Sequence, residues 1–254
     1  MHKSIGILDS GLGGLSVLQQ VWQDLPLEST IYIADSKHAP YGTKLKQFLC
    51  SRSLELCNFL CEQDVKAIVV ACNTATTNTI TYLRENITHI PIIGVEPGIK
   101  PALNISKNKK IGILATHNTL YSEEFNKLMQ ATGLAYKHEF GLEPIWIKQC
   151  GNGLVELIES CNINLSNNEL VNLCKYYIDE IIAQGADTIV LGCTHYPFLL
   201  SIFNELYPNI NFIETSKAVV NHLRNTLVSN SNNKSYINNN DVNNQIKNIL
   251  YIQV

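Results

Sequence analysis

Two segments of the sequence resemble each other, and each contains a cysteine directly after a short apolar run. Residues 67–74 read A-I-V-V-A-C-N-T, and residues 188–195 read T-I-V-L-G-C-T-H. Cys72 and Cys193 therefore occupy equivalent positions of a repeat. Two thiols that face each other across a cleft suit one chemistry well, because a carbon can lose a proton on one face and regain it on the other.

A second pair of segments precedes the first pair in the same order. Residues 5–10 read I-G-I-L-D-S, and residues 111–116 read I-G-I-L-A-T. The two repeated pairs of segments, in the same order in each half, predict a duplicated α/β unit. In this unit each of four residues comes at the end of a strand: Asp9, Cys72, Thr116 and Cys193. Parallel sheets bind ligands beyond the carboxyl ends of their strands, so these residues predict a site between the two halves.

Strands and helices alternate over most of the chain. Short β-branched runs predict strands at residues 4–8, 30–34, 67–71, 91–95, 110–114, 188–191 and 211–213. Helical periodicity predicts helices at residues 16–25, 44–63, 76–85, 122–132, 167–184 and 198–207. This alternation predicts an α/β fold of two similar lobes, each a mostly parallel sheet flanked by helices, related by a pseudo-two-fold axis with the active site between them.

The expected first lobe comprises residues 1–97 plus 212–254, and the second comprises residues 98–211. From about residue 229 the sequence is rich in Asn and poor in apolar side chains, which predicts mobility. Residues 249–252 form an isolated apolar patch in this tail that could dock as a strand or as a helix turn.

Composition excludes several classes of protein. The 254 residues are 45% hydrophobic and 16% charged, which is typical of a globular protein, and the net charge of −3 gives no field to attract nucleic acid. No apolar run approaches the ~18 residues of a membrane span, so a cytoplasmic protein with no membrane partner is expected. None of the eight cysteines forms a C-x-x-C motif, so neither a zinc ribbon nor a thioredoxin motif is expected. The sequence also has no metal-binding cluster and no pyridoxal-phosphate signature, so no metal and no cofactor are expected.

A glycine-rich turn follows the first predicted strand, where residues 9–14 read D-S-G-L-G-G. Such a turn exposes backbone N–H groups to an anion, and Asp9 could either cap the following helix or face the substrate. Cys72 and Cys193 lie where strands meet helices, which predicts pKa values below the usual ~8.5 of a thiol. His195 could assist the Cys193 thiolate or bind a carboxylate.

Two carboxylates, Glu156 and Glu159, follow the loop at residues 149–153, and either could reach the cleft.

The sequence lacks the motifs of three other kinds of active site. The chain has no G-x-S-x-G of a serine hydrolase and no G-K-[S/T] of a phosphate-binding loop. A papain-like site would leave the second cysteine without a role.

Six motifs together resemble the bacterial glutamate racemases over essentially the full length of the chain. They are D-S-G-L-G-G at 9–14, P-Y-G at 40–42, A-C-N-T-A-T at 71–76, I-G-V-E-P-G at 93–98, A-T-x-x-T at 115–119 and G-C-T-H-Y-P at 192–197. The chain departs from the family pattern at Glu156, where proline is usual, and at Gly151, where Cys-Pro becomes Cys-Gly.

The resemblance implies a cofactor-independent enzyme that interconverts L- and D-glutamate and supplies D-glutamate for peptidoglycan, with a homodimer expected. It implies that Cys72 and Cys193 are the two acid/base thiols, assisted by Asp9, Glu159 and His195. The substrate-binding residues that it implies are Asp9, Ser10, Pro40, Tyr41, Gly42, Asn73, Thr74, Thr76, Thr116, Thr119, Thr194 and His195. Alternatives are an aspartate racemase or another two-cysteine relative, and a binding protein with an inactive site.

Overall fold

A computed structural model describes residues 3–161, 163–164, 166–230 and 249–253 of the chain. Its strands are β1 (Ile5–Asp9), β2 (Thr30–Ala34), β3 (Ala67–Val70), β4 (Ile92–Gly94), β5 (Lys110–Ala115), β6 (Ile145–Cys150), β7 (Thr188–Gly192), β8 (Asn211–Ile213) and β9 (Ile249–Gln253). Its α-helices are α1 (Leu15–Asp24), α2 (Lys46–Glu62), α3 (Asn73–Asn86), α4 (Ile99–Ile105), α5 (His117–Leu120), α6 (Glu123–Phe140), α7 (Leu154–Glu159), α8 (Asn168–Ala183), α9 (Leu200–Leu206) and α10 (Ser216–Asn230).

The strands form two parallel sheets with the same internal order. The first sheet runs β4-β3-β1-β2-β9, and the second, counted from its far edge, runs β8-β7-β5-β6. Each strand of the first unit thus has a counterpart in the second, and β9 extends the first sheet beyond β2. The predicted duplicated α/β fold with two parallel sheets is confirmed.

The central strands read as continuous apolar runs because helices cover both faces of each sheet. Every residue of β1, β3 and β7 is buried. One face of the first sheet packs against α2 and α3, and the other packs against α1 and α10, where Val17 and Leu18 meet Val219 and Leu223. This double burial fixes the register of the strands whose carboxyl ends carry the chemistry.

The sequence predicted the edge strands β4 and β8 but missed other elements. Strand β6 was not predicted because it has one buried residue, Ile147, which lies between the partly exposed Trp146 and Lys148. Helices α4, α5, α7 and α10 were also missed. Helix α6 runs past the predicted end at residue 132, because Gly133 is buried beside Trp146, and it ends where Gly141 adopts a left-handed φ of 71°.

The C-terminal part departs from its prediction in one respect, and in another it decides between the two predicted alternatives. Helix α10 continues to Asn230, and β9 pairs in parallel with β2, so the apolar patch at residues 249–252 docks as a strand. The predicted mobility falls largely on residues 231–248, which lie outside the described residues. The predicted lobe boundary near residue 212 falls within β8, which pairs with β7. Among the helices of the described residues, none carries an apolar stretch of the length that a membrane span requires.

Candidate active site

Four strands of the two sheets end at one place between the lobes. Asp9 ends β1, Cys72 follows β3, Thr116 follows β5 and Cys193 follows β7. The two cysteines are only 5% and 7% exposed, and they lie close enough that a charge on one raises the pKa of the other. The structure therefore brings together the four residues that the repeat predicted.

Cys72 is the residue that precedes the first turn of α3. The Ala75 N–H donates to its Sγ at 3.5 Å, and the thiol donates to Ser10 Oγ at 3.7 Å. Burial nevertheless raises the pKa of Cys72 far above the value of a free thiol, and the nearby Asp9 carboxylate raises it further. The predicted lowering of this pKa is wrong, because desolvation outweighs the helix N–H group.

Cys193 belongs to a chain of contacts with His195 and Glu159. The Cys193 Sγ lies 3.7 Å from His195 Nδ1, and His195 Nε2 donates to Glu159 Oε1 at 2.5 Å. Burial by itself lowers the pKa of His195, but the contacts with Cys193 and Glu159 outweigh it and raise this pKa to about 10. An imidazolium beside the sulfur can hydrogen-bond a thiolate and can return a proton to it.

The Glu159 carboxylate is itself held by the glycine-rich turn of the opposite lobe. Burial raises the pKa of Glu159, but the bonds from His195 and from the Leu12 N–H, which donates to Oε1 at 2.7 Å, lower it overall. A Cβ at Gly11 would lie 2.1 Å from Glu159 Oε1, and one at Gly13 would lie 2.4 Å from His195 Nδ1. The turn binds an anion, and that anion is a side chain of this protein.

Asp9 links the same turn to the second cysteine motif. Its Oδ1 accepts a hydrogen bond from the Gly11 N–H at 2.8 Å, and its Oδ2 accepts one from the Thr194 hydroxyl at 3.0 Å. Asp9 caps the turn and not α1, whose preceding residue Gly14 offers no side-chain cap. Burial raises the pKa of Asp9 to about 6.

Neutral hydrogen-bonding groups line the junction of the lobes. Thr74 Oγ1 lies 2.8 Å from Thr116 Oγ1 and 3.3 Å from Thr119 Oγ1, and the latter two oxygens are 3.0 Å apart. Asn73 Nδ2 is buried and has no hydrogen-bond partner in the described part of the chain. These groups can bind the oxygens of a carboxylate without adding a positive charge.

The Pro40–Gly42 motif leads into a short 3₁₀ turn, Tyr41–Thr43, with Pro40 as the extended residue before it. The Tyr41 hydroxyl donates to Asp35 Oδ2 at 2.6 Å, so its phenol is held inside the first lobe. A Cβ at Gly42 would lie 2.9 Å from the Thr116 Cβ, so the turn contacts the second lobe directly.

Other predicted site residues are placed differently. Thr76 is engaged by backbone, because its hydroxyl donates to Val70 O at 3.0 Å and accepts from the Val95 N–H at 3.1 Å. Glu156 is exposed, whereas Glu159, on the same helix, contacts His195.

Sequence reasoning missed three residues that organise the site. Asp35 is fully buried and accepts hydrogen bonds from both Arg52 Nε, at 3.0 Å, and Arg52 Nη2, at 2.8 Å. Asn118 bonds to the backbone of the Tyr41–Thr43 turn. The one available signal was that Asp35 directly follows β2, at the same sheet edge as Asp9. Within the described residues no cluster of His, Cys, Asp and Glu is arranged to hold a metal ion.

The two-lobed α/β fold, with one thiol at each equivalent strand end, is that of the amino-acid racemases. The family model described as Asp/Glu/hydantoin racemase matches residues 10–223, and the chain belongs to this family. Curated glutamate racemases are similar over most of their length. The protein of Ralstonia pickettii is 43% identical over 89% of this chain and 76% of its own. That of Cupriavidus pinatubonensis is 43% identical over 88% of this chain and 79% of its own.

Solved structures of glutamate racemases share the fold. The Bacillus anthracis isoform RacE1 is 32% identical, with a TM-score of 0.76 over 90% of this chain and 82% of its own. The Francisella tularensis protein in complex with D-glutamate is 25% identical, with a TM-score of 0.78 over 98% of this chain and 86% of its own. The Escherichia coli protein, solved with L-glutamate, is 29% identical, with a TM-score of 0.77 over 90% of this chain and 83% of its own. The chain is thus an amino-acid racemase, an isomerase.

Proposed function

We propose that this racemase interconverts L- and D-glutamate by two-base proton transfer between Cys72 and Cys193, without a cofactor, and so supplies D-glutamate for peptidoglycan. The observation that carries the proposal is the pairing of two buried thiols at equivalent strand ends, each with its own polar partners. Relatives solved with D-glutamate and with L-glutamate support the choice of substrate.

In the proposed cycle one sulfur is a thiolate and the other a thiol when substrate binds. The Cys193 thiolate, beside the His195 imidazolium, removes the α-proton of L-glutamate, and the electron pair of the C–H bond stays on Cα. The Cys72 thiol then donates its proton to the opposite face, which gives D-glutamate and a Cys72 thiolate. The reverse reaction uses Cys72 as the base, with Asp9 nearby to accept or relay a proton.

The α-proton is very weakly acidic, so the site must stabilise the carbanion that develops. Donors placed around the substrate α-carboxylate lower the energy of the charge that spreads onto it. The Thr74–Thr116–Thr119 cluster and the unpaired Asn73 amide are suited to this role. Holding both sulfurs on opposite sides of Cα adds the advantage of proximity.

Racemisation in D2O tests this mechanism directly. Incubation with L-glutamate should yield D-glutamate that carries deuterium at Cα, whereas the L-glutamate that remains early in the reaction should keep its proton. The reason is that the removed proton stays on one thiol while the other thiol delivers a solvent-derived deuteron. Early deuterium in both enantiomers would indicate a single base, and no exchange with glutamate would refute the proposal.

Glutamate should be preferred to aspartate by roughly 10⁴-fold in kcat/KM. All three arginines of the chain already bond to the protein: Arg52 to Asp35, Arg84 to Ile92 O and Arg224 to Asp24 O. Neutral donors fixed by the fold must therefore hold the side-chain carboxylate, and a substrate one methylene shorter would leave them unpaired at about 1–3 kcal/mol each. Comparable kcat/KM values for the two amino acids would point to an aspartate racemase with the same thiol chemistry.

The pH dependence of kcat/KM should show an acidic limb near pH 6. The pKa of Asp9 is raised to about 6, so its carboxylate is ionised above this pH and protonated below it. Loss of the charge beside Cys72 should lower the rate as the pH falls through 6. Asp9→Asn should remove this limb and lower kcat/KM at pH 8 by roughly 10–100-fold. An unchanged acidic limb in the variant would assign the titration to another group.

A binding protein with an inactive site is the alternative of a different class. Cys193 contacts His195, which contacts Glu159. The glycine-rich turn at residues 9–14 connects this group to Asp9 and Cys72, and such a connected set of acid/base groups favours the enzyme. Binding of glutamate without any α-proton exchange would favour the alternative.

A further inference from the structure

The Tyr41–Thr43 turn is anchored from within its own lobe by a buried charge. The Asp35 carboxylate accepts hydrogen bonds from the Tyr41 hydroxyl and from Nε and Nη2 of Arg52. It also accepts one from His38 Nδ1 at 2.8 Å. Burial tends to raise the pKa of Asp35, but these partners outweigh it and lower the pKa, so the carboxylate stays charged. The phenol end of the turn is therefore fixed to the first lobe.

The other side of the turn is held by a side chain from the second lobe. Asn118, on α5, donates from Nδ2 to Lys44 O at 2.7 Å and to Tyr41 O at 3.1 Å. The backbone oxygen of Asn118 accepts from Asn78 Nδ2 at 3.3 Å, and the same nitrogen donates to Thr74 O at 2.8 Å. One continuous path of hydrogen bonds thus joins the turn, α5 and the start of α3.

Asn118 occupies one of the two variable positions of the motif A-T-x-x-T, so the resemblance assigned it no role. Asn118 is one residue from Thr119 and two from Thr116. Thr116 packs directly against the turn, because a Cβ at Gly42 would lie 2.9 Å from the Thr116 Cβ. We propose that Asn118 is a positioning residue that sets glutamate affinity by holding the Tyr41–Thr43 turn against the threonine cluster. This inference rests on the proposed function, because it takes glutamate as the ligand of the turn.

Two variants separate positioning from mere packing. Asn118→Ala removes the two donors, and water can partly replace them because Asn118 is only half-buried. Asn118→Asp keeps the size of the side chain but sets a carboxylate against two carbonyl oxygens. We expect KM for glutamate to rise about 5-fold in the alanine variant and about 50-fold in the aspartate variant, with kcat within about 3-fold of wild type.

Amide hydrogen exchange of the ligand-free protein reports on the turn without any substrate. Peptides that contain residues 41–45 should exchange faster in both variants than in wild type, and most in Asn118→Asp. The matched control is Asn86→Asp, an exposed site at the far end of α3 whose Nδ2 donates to Tyr82 O. The control should change neither exchange at residues 41–45 nor KM.

Faster exchange at the turn together with a raised KM and a nearly constant kcat supports the inference. Unchanged exchange would show that Asn118 does not hold the turn. Faster exchange with an unchanged KM, or a fall in kcat alone, would show that the turn does not set affinity. Racemisation by the wild-type protein tests the proposed function separately, and the exchange measurement stands whether or not glutamate is turned over.

Discussion

Cys72→Ser and Cys193→Ser should each lower kcat for glutamate racemisation by at least about 10³-fold, the upper part of the range for loss of a general acid or base. A serine hydroxyl is a far weaker acid than a thiol, so it neither forms the required base nor donates a proton at a useful rate. Because the enantiomers have equal free energies in solution, kcat/KM must fall equally in both directions in each variant. Circular dichroism of the reaction mixture measures both directions.

The two serine variants should differ in their half-reactions. With glutamate analogues that carry a leaving group at the β-carbon, proton removal alone leads to elimination, and only one thiol is needed. By the family resemblance, Cys72→Ser should retain elimination from the L-analogue and Cys193→Ser from the D-analogue. Cys61→Ser, at a half-buried position on α2, is the matched control and should remain active. Near-wild-type racemisation in either catalytic variant would exclude the two-base mechanism.

Glu159→Gln should lower kcat/KM by roughly 10²-fold and move the alkaline limb of its pH profile to lower pH. The contacts with Cys193 and Glu159 hold the pKa of His195 at about 10. Glutamine keeps an oxygen for the Leu12 N–H but removes the negative charge beside the imidazole. The folded-state pKa of His195 should therefore fall, and the imidazolium should be lost at a lower pH than in wild type.

The neighbouring carboxylate supplies the control for this prediction. Glu156 lies three residues earlier on the same helix and is exposed, so Glu156→Gln removes the same charge from α7 without touching His195. Profiles of kcat/KM from pH 6 to 11 should show a shifted limb only in Glu159→Gln. Equal effects of the two substitutions would mean that the general charge of α7, and not the contact with His195, controls the rate.

The sequence by itself determined the repeat, the central strands and the residues at their ends. Strands β1, β3 and β7 are buried on both faces, so they must be continuously apolar, and the polar residues that interrupt them mark the strand ends. Asp9, Cys72 and Cys193 could therefore be placed together from the pattern alone. Strand β6 lacks this constraint, because it lies at a sheet edge and only one of its six residues, Ile147, is buried.

Only the tertiary structure decided how these residues act on one another. The contact between Leu12 and Glu159 joins residues 147 apart, and that between Asp9 and Thr194 joins residues 185 apart. Such contacts distinguish Glu159 from Glu156, identify the anion held by the glycine turn and reveal Asn118. The sign of the pKa shift of Cys72 also depends on burial, because its thiol packs into the hydrophobic core formed by β1, β2, β3 and α2. Local sequence describes the nearest N–H groups, but desolvation is a property of the whole fold.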